Sequence, residues 1–407
     1  METRTMRILA VGIVGMLVIA GVAYVLMQDD EEETEITLAF GNSSGWQPLL
    51  YAYHAGLFEA EGVNVKVHTV ASSGPSTAAL LAGKADMAFT SPEPVFEALK
   101  DDVLKVKLVA NSRVPRMNGM HALYGNTNAD ILSAGLVKQY EGDKTTAIVD
   151  SEAGLINFVK ALLNDDGTLK SANSKVAVHA ASSHMAVWLG YVELLYKGSM
   201  VYGIEYPGSQ MTPAQYTKLT NINSDVYISC PDYATAAASV LTGKAYIGLG
   251  TSSAMSSAAG ASANPAIWSI MSVTSMIDGG FSTILVSEDA MENKYDAVIK
   301  VLRAYDKAGA LMRDVSTSAM VARVVLPFLY DTTTGNTDSY MKIEMDYYAS
   351  VDWDICSVDG ALEVFELIAK LTPYLDSSAD FGRIYDQSLI DKVNEDVHQG
   401  GVWKRTR

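Results

Sequence analysis

The chain has 407 residues, of which 49% are hydrophobic and 19% are charged, and its formal net charge is −17. This composition indicates a globular protein that is long enough to form two or more domains. The negative charge, without clustered Lys and Arg, argues against binding to nucleic acid, and against docking of the globular part on an anionic membrane surface.

An uncharged stretch of 20 residues, Ile8–Met27, is the first predicted element. As a helix rising ~1.5 Å per residue, it would span a ~30 Å hydrocarbon core. Arg4 and Arg7 precede it and the acidic run 29–33 follows it, which predicts that the rest of the chain lies outside the cytoplasm. The stretch ends without a clear small-x-small cleavage site, which favours an uncleaved single-pass anchor in the cell membrane over a cleaved signal peptide. We therefore assign 1–35 to the anchor and an acidic linker.

Strand and helix patterns alternate after the linker. Ile36–Phe40 is predicted to be a strand that runs into the polar loop 41–47, and Pro48 is expected to open the next helix. Val63–Val67 alternates as a second strand and leads into the Ser/Gly loop 71–75.

A helix–turn–strand phrase occurs twice, at Ala78–Phe89 and at Ala238–Leu249. In each copy a helix of small residues ends at a Gly suited to a left-handed C-cap, a Lys follows, and a short apolar strand runs into a hydroxyl-rich turn. These features are typical of a βαβ unit. Two such units predict two α/β lobes on either side of a ligand cleft, and chance repetition within one large α/β protein is the alternative.

The remaining patterns divide the chain between the lobes. Met120–Tyr124 is predicted to be a strand leaving the first lobe, and Phe281–Val286 a strand returning to it. Between them, 128–172 has a mostly helical pattern. The predicted divisions are lobe 1, first part (36–120), lobe 2 (121–278), and the return to lobe 1 with C-terminal helices (279–407).

Cys230 and Cys356 are the two cysteines, and they have neither metal-ligand spacing nor a CxxC motif. A disulfide is chemically feasible outside the cell. Because the two residues fall in different predicted lobes, a bridge would restrict closure, and two unpaired, buried thiols are favoured. We predict no metal and no cofactor.

Several short motifs, each of low specificity alone, occur in a specific order along the chain. They are Pro48 before a helix, Gly56-Leu57-Phe58, the loop Ser72–Gly74, and Leu80–Asp86 running into a short strand. In this order they resemble the nitrate/sulfonate/taurine-type solute-binding proteins of ABC importers, which are related to pyrimidine-precursor-binding proteins. The resemblance covers 36–110 well and 173–310 more loosely, whereas 125–172 is longer than usual for the family and its role stays open.

The resemblance implies an α/β class II periplasmic-binding-protein fold, in which two lobes joined by strand crossovers enclose a ligand cleft. It also implies an extracytoplasmic protein that captures a small polar solute and delivers it to an ABC permease and its ATPase. P-loop and His-Glu-x-x-His motifs are absent, and we expect no enzyme activity. An exported small-molecule enzyme of the same fold and a ligand sensor acting through a partner remain as alternatives.

Ligand-binding residues are expected in the loops at the carboxyl ends of the strands. Several of these loops start helices, whose N–H groups and dipoles can hold an anion. The candidates are Ser43, Ser44, Trp46, Ser72, Ser73, Thr90, Ser91, Glu93, Ser182, Ser183, His184, Asp232, Tyr233 and Thr251.

For these polar candidates, helix capping alone is the competing interpretation. For Trp46 it is core packing, although its Gly/Ser setting favours a cleft wall. The candidate loops contain no Arg or Lys, which disfavours a bidentate Arg clamp and fits a zwitterion such as an aminosulfonate.

Overall fold

The computed structural model describes residues 35–99, 105–113, 121–125, 137–139, 146–149, 162–179, 182–201, 204–206, 208–262, 267–272, 281–330, 332, 337–350, 355–356 and 380–399. The predicted anchor, Ile8–Met27, lies outside these residues. Within them, no helix has both the length and the apolar character needed to cross a membrane.

The described strands fall in both halves of the chain. In chain order they are β1 (Glu35–Phe40), β2 (Asn64–Thr69), β3 (Met87–Thr90), β4 (Val106–Arg113), β5 (His121–Gly125), β6 (Val137–Gln139), β7 (Thr146–Val149), β8 (Val176–Val178), β9 (Ser199–Val201), β10 (Ile204–Tyr206), β11 (Tyr227–Ser229), β12 (Ile247–Leu249), β13 (Ile267–Ser272), β14 (Phe281–Ser287) and β15 (Ile355–Cys356).

The helices alternate with these strands and then dominate the C-terminal part. They are α1 (Gln47–His54), α2 (Leu57–Ala60), α3 (Ser73–Leu81), α4 (Pro92–Ala98), α5 (Ser183–Lys197), α6 (Pro213–Thr220), α7 (Tyr233–Leu241), α8 (Ser252–Ala261), α9 (Glu288–Asn293), α10 (Tyr295–Arg313), α11 (Ser318–Leu329), α12 (Thr337–Ser350) and α13 (Gln387–Gln399). Short 3₁₀ turns lie at Ser44–Trp46 and Phe381–Arg383.

Two mixed sheets organise the fold. The first has the strand order β15-β4-β14-β3-β1-β2, and the second has the order β11-β8-β12-β5-β13-β7-β6. In the first sheet β1 pairs in parallel with β2 and β3, and in the second β8 pairs in parallel with β11 and β12. The chain passes from the first sheet to the second between β4 and β5, and it returns between β13 and β14. We call the first sheet with its helices the first lobe, and the second sheet with its helices the second lobe.

The two copies of the helix–turn–strand phrase adopt the same structure, one in each lobe. In the first, α3 is followed by Gly83 (φ 67°) and the buried strand β3, and in the second, α7 is followed by Gly243 (φ 70°) and the buried strand β12. Both glycines have the left-handed backbone that was expected of a C-cap. The prediction of two α/β units built on the same plan is confirmed.

The segment 128–172 differs from its predicted helical pattern. Its described part includes β6 and β7, which pair with each other, and β7 also pairs in parallel with β13. The expectation of a mostly helical segment is therefore wrong at these positions. Pairing with a strand more than 100 residues away overrides the local pattern, as sheet formation often does.

The core of the first lobe forms where α1, α10 and α11 pack together. Its fully or nearly fully buried residues include Phe40, Phe89, Leu302 and Tyr305, and the rings of Phe89 and Tyr305 stack with centroids 5.5 Å apart. In the second lobe, α7 and α8 pack together, and a smaller cluster of buried residues includes Val240. Each lobe thus has its own apolar core, which holds its strand ends in place.

Asp86, the last residue of the motif Leu80–Asp86, has a structural role. Its two carboxylate oxygens each lie 3.0 Å from Nζ of Lys294, and Oδ2 accepts a hydrogen bond of 2.7 Å from the backbone N–H of Thr37. The carboxylate thereby connects the start of β3 with β1 and with the turn between α9 and α10. Because these partners fully account for Asp86, the motif stabilises the fold of the first lobe.

Cys230 is a free and buried thiol, as expected. It lies at the end of β11 in the second lobe, and burial raises its pKa. Among the described residues, no group of three or more His, Cys, Asp or Glu side chains is arranged to hold a metal ion.

Candidate ligand-binding cleft

The predicted site residues lie at the carboxyl ends of parallel strands in both lobes. In the first lobe these ends lead into 41–46, 70–72 and Ser91, and in the second into His179, Ser182 and 230–232. In open α/β sheets this edge is where ligands bind, because helix N-termini and loop side chains converge there.

One hydrogen bond joins the strand ends of the two lobes. Oγ of Ser72, at the start of α3, lies 2.7 Å from Nε2 of His179, the first residue after β8. Nδ1 of the same imidazole lies 3.1 Å from the carbonyl oxygen of Cys230. A carbonyl oxygen only accepts hydrogen bonds, so Nδ1 carries a proton. In the neutral ring Nε2 is then an acceptor, and the Ser72 hydroxyl donates to it.

His179 is not among the ligand-binding residues predicted from the sequence. A usable signal was present, since His179 is a polar, titratable residue directly after a buried strand. Its partner Ser72 is 107 positions away in the sequence, and only the fold brings the two together.

In the second lobe, three predicted residues cap helices. Ser182 accepts a hydrogen bond from the backbone N–H of Met185 at the start of α5. Asp232 accepts one of 2.6 Å from Thr235 at the start of α7, and Thr251 accepts one of 3.3 Å at the start of α8. The capping interpretation is therefore correct for these three residues, and their contact with a ligand stays a prediction.

The charge state of Asp232 follows from its capping role. Hydrogen bonds from Thr235 hold the pKa of the Asp232 carboxyl below its usual range. The group is therefore a carboxylate at neutral pH. It places a negative charge at the strand end of the second lobe, next to the imidazole that faces Ser72.

In the first lobe, the corresponding hydroxyls behave differently. Pro75 at the third position of α3 has no N–H to donate, so Ser72 makes no side-chain cap there, and its hydroxyl reaches His179 instead. Oγ of Ser91 is buried and has no hydrogen-bond partner among the described residues, and the whole residue is only 7% exposed. A buried hydroxyl without a partner is costly, and such groups are commonly found where a ligand or water completes the site.

Thr90 and Ser73 hold this part of the first lobe together. Oγ1 of Thr90 lies 2.8 Å from Oγ1 of Thr77, and it donates to the carbonyl oxygen of Ser73 at 3.0 Å. Thr90 is 2% exposed. It ties β3 to α3, and so fixes the neighbouring Ser91 relative to Ser72.

The ring of Tyr233 lies between two imidazoles of the second lobe, those of His179 and His184. The ring of Tyr233, the first residue of α7, meets the ring of His184 edge to face at 5.1 Å and that of His179 at 6.0 Å. Gly250 permits this arrangement, since a Cβ there would come within 3.2 Å of the Tyr233 side chain. The two predicted residues Tyr233 and His184 thus lie on the same wall as His179.

Trp46 lies in the core of the first lobe. Its side chain is 5% exposed and belongs to the buried cluster that includes Phe40 and Leu49. Core packing is therefore the correct interpretation of its burial, because the 3₁₀ turn Ser44–Trp46 directs the ring inward, and contact with a ligand stays a prediction. Ser43, just before this turn, is 9% exposed and its side chain makes no cap.

For three predicted residues the structure describes the backbone only. Ser44 lies in the 3₁₀ turn, Glu93 in α4 and Ser183 in the first turn of α5. Helices α4 and α5 contact each other across the two lobes.

A separate concavity of about 620 Å³ lies on the second lobe, lined by residues that include Leu163, Lys170 and Gln215. None of the predicted site residues lines it.

Comparison with protein families supports the resemblance that the motifs suggested. Residues 29–195 match the model of the NMT1-like family. No curated protein sequence matches the chain significantly.

Solved structures match over most of the chain. The ligand-binding component of an ABC-type import system from Staphylococcus aureus is 10% identical, with a TM-score of 0.56 over 88% of this chain and 99% of that one. The alkanesulfonate-binding protein from Xanthomonas axonopodis pv. citri, bound to MOPS, is 11% identical, with a TM-score of 0.55 over 88% and 97%. The periplasmic nitrate-binding protein from Synechocystis is 14% identical, with a TM-score of 0.51 over 91% and 89%.

The names of these three structures describe them as ligand-, alkanesulfonate- and nitrate-binding proteins. At such low identity the likeness establishes the fold. The chain resembles the nitrate- and sulfonate-binding proteins of ABC importers, and it has their α/β periplasmic-binding-protein fold.

Proposed function

We propose that this chain is the extracytoplasmic solute-binding protein of an ABC importer. It captures a small polar solute between its two lobes and delivers the solute to the permease, which its ATPase drives. The stretch Ile8–Met27 anchors the chain in the cell membrane with a single pass, so that the lobes remain outside the cytoplasm. The observation that carries this proposal is the hydrogen bond from Ser72 to His179, because it joins the strand ends of two separately built lobes.

The cleft residues favour a solute with donors at one end and acceptors at the other. The first lobe offers the hydroxyls of Ser72 and Ser91 and the uncapped N-terminus of α3, which suit an anionic group. The second lobe offers the Asp232 carboxylate and the imidazole of His179, which suit a group with N–H or O–H donors. A zwitterion of the aminosulfonate type has both, and we propose this class as the substrate.

Capture follows from a shift between open and closed arrangements of the lobes. A solute that contacts both walls binds the closed arrangement more tightly than the open one, and so it raises the closed population. Release to the permease requires that the lobes separate again, so the affinity has to be moderate and the solute must leave unaltered.

A thermal-shift screen of the purified chain tests this proposal. The panel contains nitrate, ethanesulfonate, taurine, isethionate and a pyrimidine. We expect at least one sulfonate to raise the melting temperature, because a ligand at ~100 times its dissociation constant stabilises a protein by about 2.7 kcal/mol. A panel that leaves the melting temperature unchanged at millimolar concentrations contradicts the proposal.

A further inference from the structure

We infer that His179 selects solutes that carry an N–H or O–H donor, and that this donor replaces the Ser72 hydroxyl at Nε2. The inference rests on the proposed function, since it concerns the solute that the cleft receives. It goes further because it names the atom that contacts the solute, Nε2 of His179, and the group that this atom requires, an N–H or O–H donor.

The orientation of the imidazole is fixed from within the second lobe. Nδ1 donates to the carbonyl oxygen of Cys230, and the backbone N–H of Cys230 in turn donates to the carbonyl oxygen of Val178 at 2.9 Å. This chain of bonds extends the pairing of β8 with β11 by one residue. In the neutral ring Nε2 is therefore an acceptor that faces the Ser72 hydroxyl of the first lobe.

Ser72 can give up its contact with His179 at little cost. Serine is among the preferred N-cap residues, and Ser72 holds the N-cap position of α3 without using its side chain there. Its counterpart in the second copy of the unit, Asp232, does cap its helix. When a solute donor takes Nε2, the Ser72 hydroxyl can donate instead to the anionic group of the solute.

Nε2 of His179, by contrast, needs a hydrogen-bond donor from the first lobe or from the solute. If the lobes separate, the lone pair of Nε2 faces water. If a solute without a donor fills the cleft, the lone pair faces an acceptor of the solute. A buried acceptor without a donor is destabilising, and two acceptors in contact repel each other. Sites built around such an acceptor discriminate strongly against the analogue that lacks the donor.

The surroundings of His179 favour a donor with positive charge most of all. The Asp232 carboxylate is ionised and belongs to the same lobe as the imidazole, and the Tyr233 ring meets that imidazole edge to face at 6.0 Å. An ammonium group next to Nε2 would also be attracted by this carboxylate. The inferred order of preference is thus ammonium, then hydroxyl, then no donor.

Three probes with a common skeleton test the inference. They are taurine, isethionate and ethanesulfonate, which share the two-carbon sulfonate and carry an ammonium group, a hydroxyl group or no donor. Isethionate and ethanesulfonate have the same net charge, so a difference between them reports the donor alone. Dissociation constants are measured by calorimetry on the full chain in detergent.

For the wild type we expect isethionate to bind about tenfold more tightly than ethanesulfonate, the ratio expected of one hydrogen bond to a buried acceptor. The variant His179→Phe should bring the ratio close to one while it preserves the melting temperature within a few degrees. Ser72→Ala should keep the ratio or increase it, because the competing hydroxyl is gone. The matched control His54→Phe makes the same substitution on α1 and should leave the ratio unchanged.

The outcomes separate the two proposals. If ethanesulfonate binds the wild type as tightly as isethionate, or if His179→Phe weakens both equally, the inference is overturned and the proposed function stands. If none of the three probes binds, both the proposed solute class and the inference are overturned. If the ratio of the two dissociation constants falls to about one in Ser72→Ala but not in His179→Phe, the serine distinguishes isethionate from ethanesulfonate and the inference is wrong.

Discussion

Ser72 and Asp232 occupy the same position in the two copies of the helix–turn–strand unit, and only Asp232 caps its own helix. The Asp232 carboxylate accepts from the backbone of α7, whereas the Ser72 hydroxyl leaves α3 and reaches His179 in the other lobe. The two lobes therefore share a local plan but use its cap position differently. In the second lobe the position stabilises the fold, and in the first it contacts the opposite wall of the cleft.

Removal of the Ser72 hydroxyl should shift the ligand-free protein towards a more open arrangement. Ser72→Ala eliminates the cross-lobe hydrogen bond, which is worth about 0.5–1.5 kcal/mol, so the open population should rise severalfold. Small-angle scattering of the chain from Glu35 onward should show a larger radius of gyration than the wild type. Thr212→Ala removes a capping box on α6 and serves as a control of similar cost. An unchanged radius for Ser72→Ala, or an equal increase for both variants, would contradict this prediction.

Asp86→Ala should destabilise the first lobe. The change leaves the partly buried Lys294 and the N–H of Thr37 without their partner, and we expect a loss of about 2–4 kcal/mol in the free energy of unfolding. Urea denaturation measures this loss. The exposed ion pair between Glu35 and Lys66 provides the control, since Glu35→Gln should cost at most about 1 kcal/mol. Equal effects of the two changes would show that the Asp86 contacts are no more than surface interactions.

Glu344 should make the stability of the first lobe depend on pH. It is fully buried, and burial raises its pKa to about 7, although Tyr330 and Gln47 donate hydrogen bonds to it. Because the folded state holds this proton more tightly than the unfolded state, the stabilisation is complete below the ordinary carboxyl pKa. It is lost as the pH rises through about 7.

The variant Glu344→Gln isolates this effect. It cannot ionise, so its free energy of unfolding should change less than that of the wild type between pH 5 and 8, as measured by urea denaturation at each pH. The exposed Glu59→Gln should retain the wild-type slope. A Glu344→Gln curve parallel to the wild type would mean that the Glu344 carboxyl does not titrate in this range.

Trp46→Ala should destabilise the protein strongly. Its side chain is 5% exposed in the core of the first lobe, and truncation of a buried Trp costs about 3–5 kcal/mol. Trp46→Phe keeps most of the packing, and it tests the predicted ligand contact through the dissociation constant of the best sulfonate probe. A fall in affinity without a matching fall in melting temperature would support that contact. An unchanged affinity in Trp46→Phe would exclude it.

Local signals in the sequence predicted the fold well. The left-handed turns at Gly83 and Gly243 and the short apolar strands after them depend on neighbouring residues, and each forms as expected. The free thiol of Cys230 also agrees with its prediction.

Features that depend on distant parts of the chain were not predictable. The pairing of Ser72 with His179 requires both lobes to be in place, and the burial of Trp46 depends on the cluster around Phe40 and Leu49. The strand β7 forms because β13 is available to pair with it. In each case a tertiary contact decides the outcome, and the local pattern carries no trace of it.

The fate of the bound solute tests the central claim most directly. A serine hydroxyl that donates to an imidazole is also the first contact of a nucleophile–base pair, so the geometry at Ser72 and His179 requires a chemical test as well as a binding test. The chain is incubated with its best sulfonate probe, bound solute is counted by equilibrium dialysis, and the released compound is identified by mass spectrometry. The account predicts one molecule per chain, recovered unchanged, with weaker binding in a Ser72→Ala/His179→Phe double variant. A product that accumulates in excess over the protein and disappears in Ser72→Ala would contradict the account and identify the chain as an enzyme.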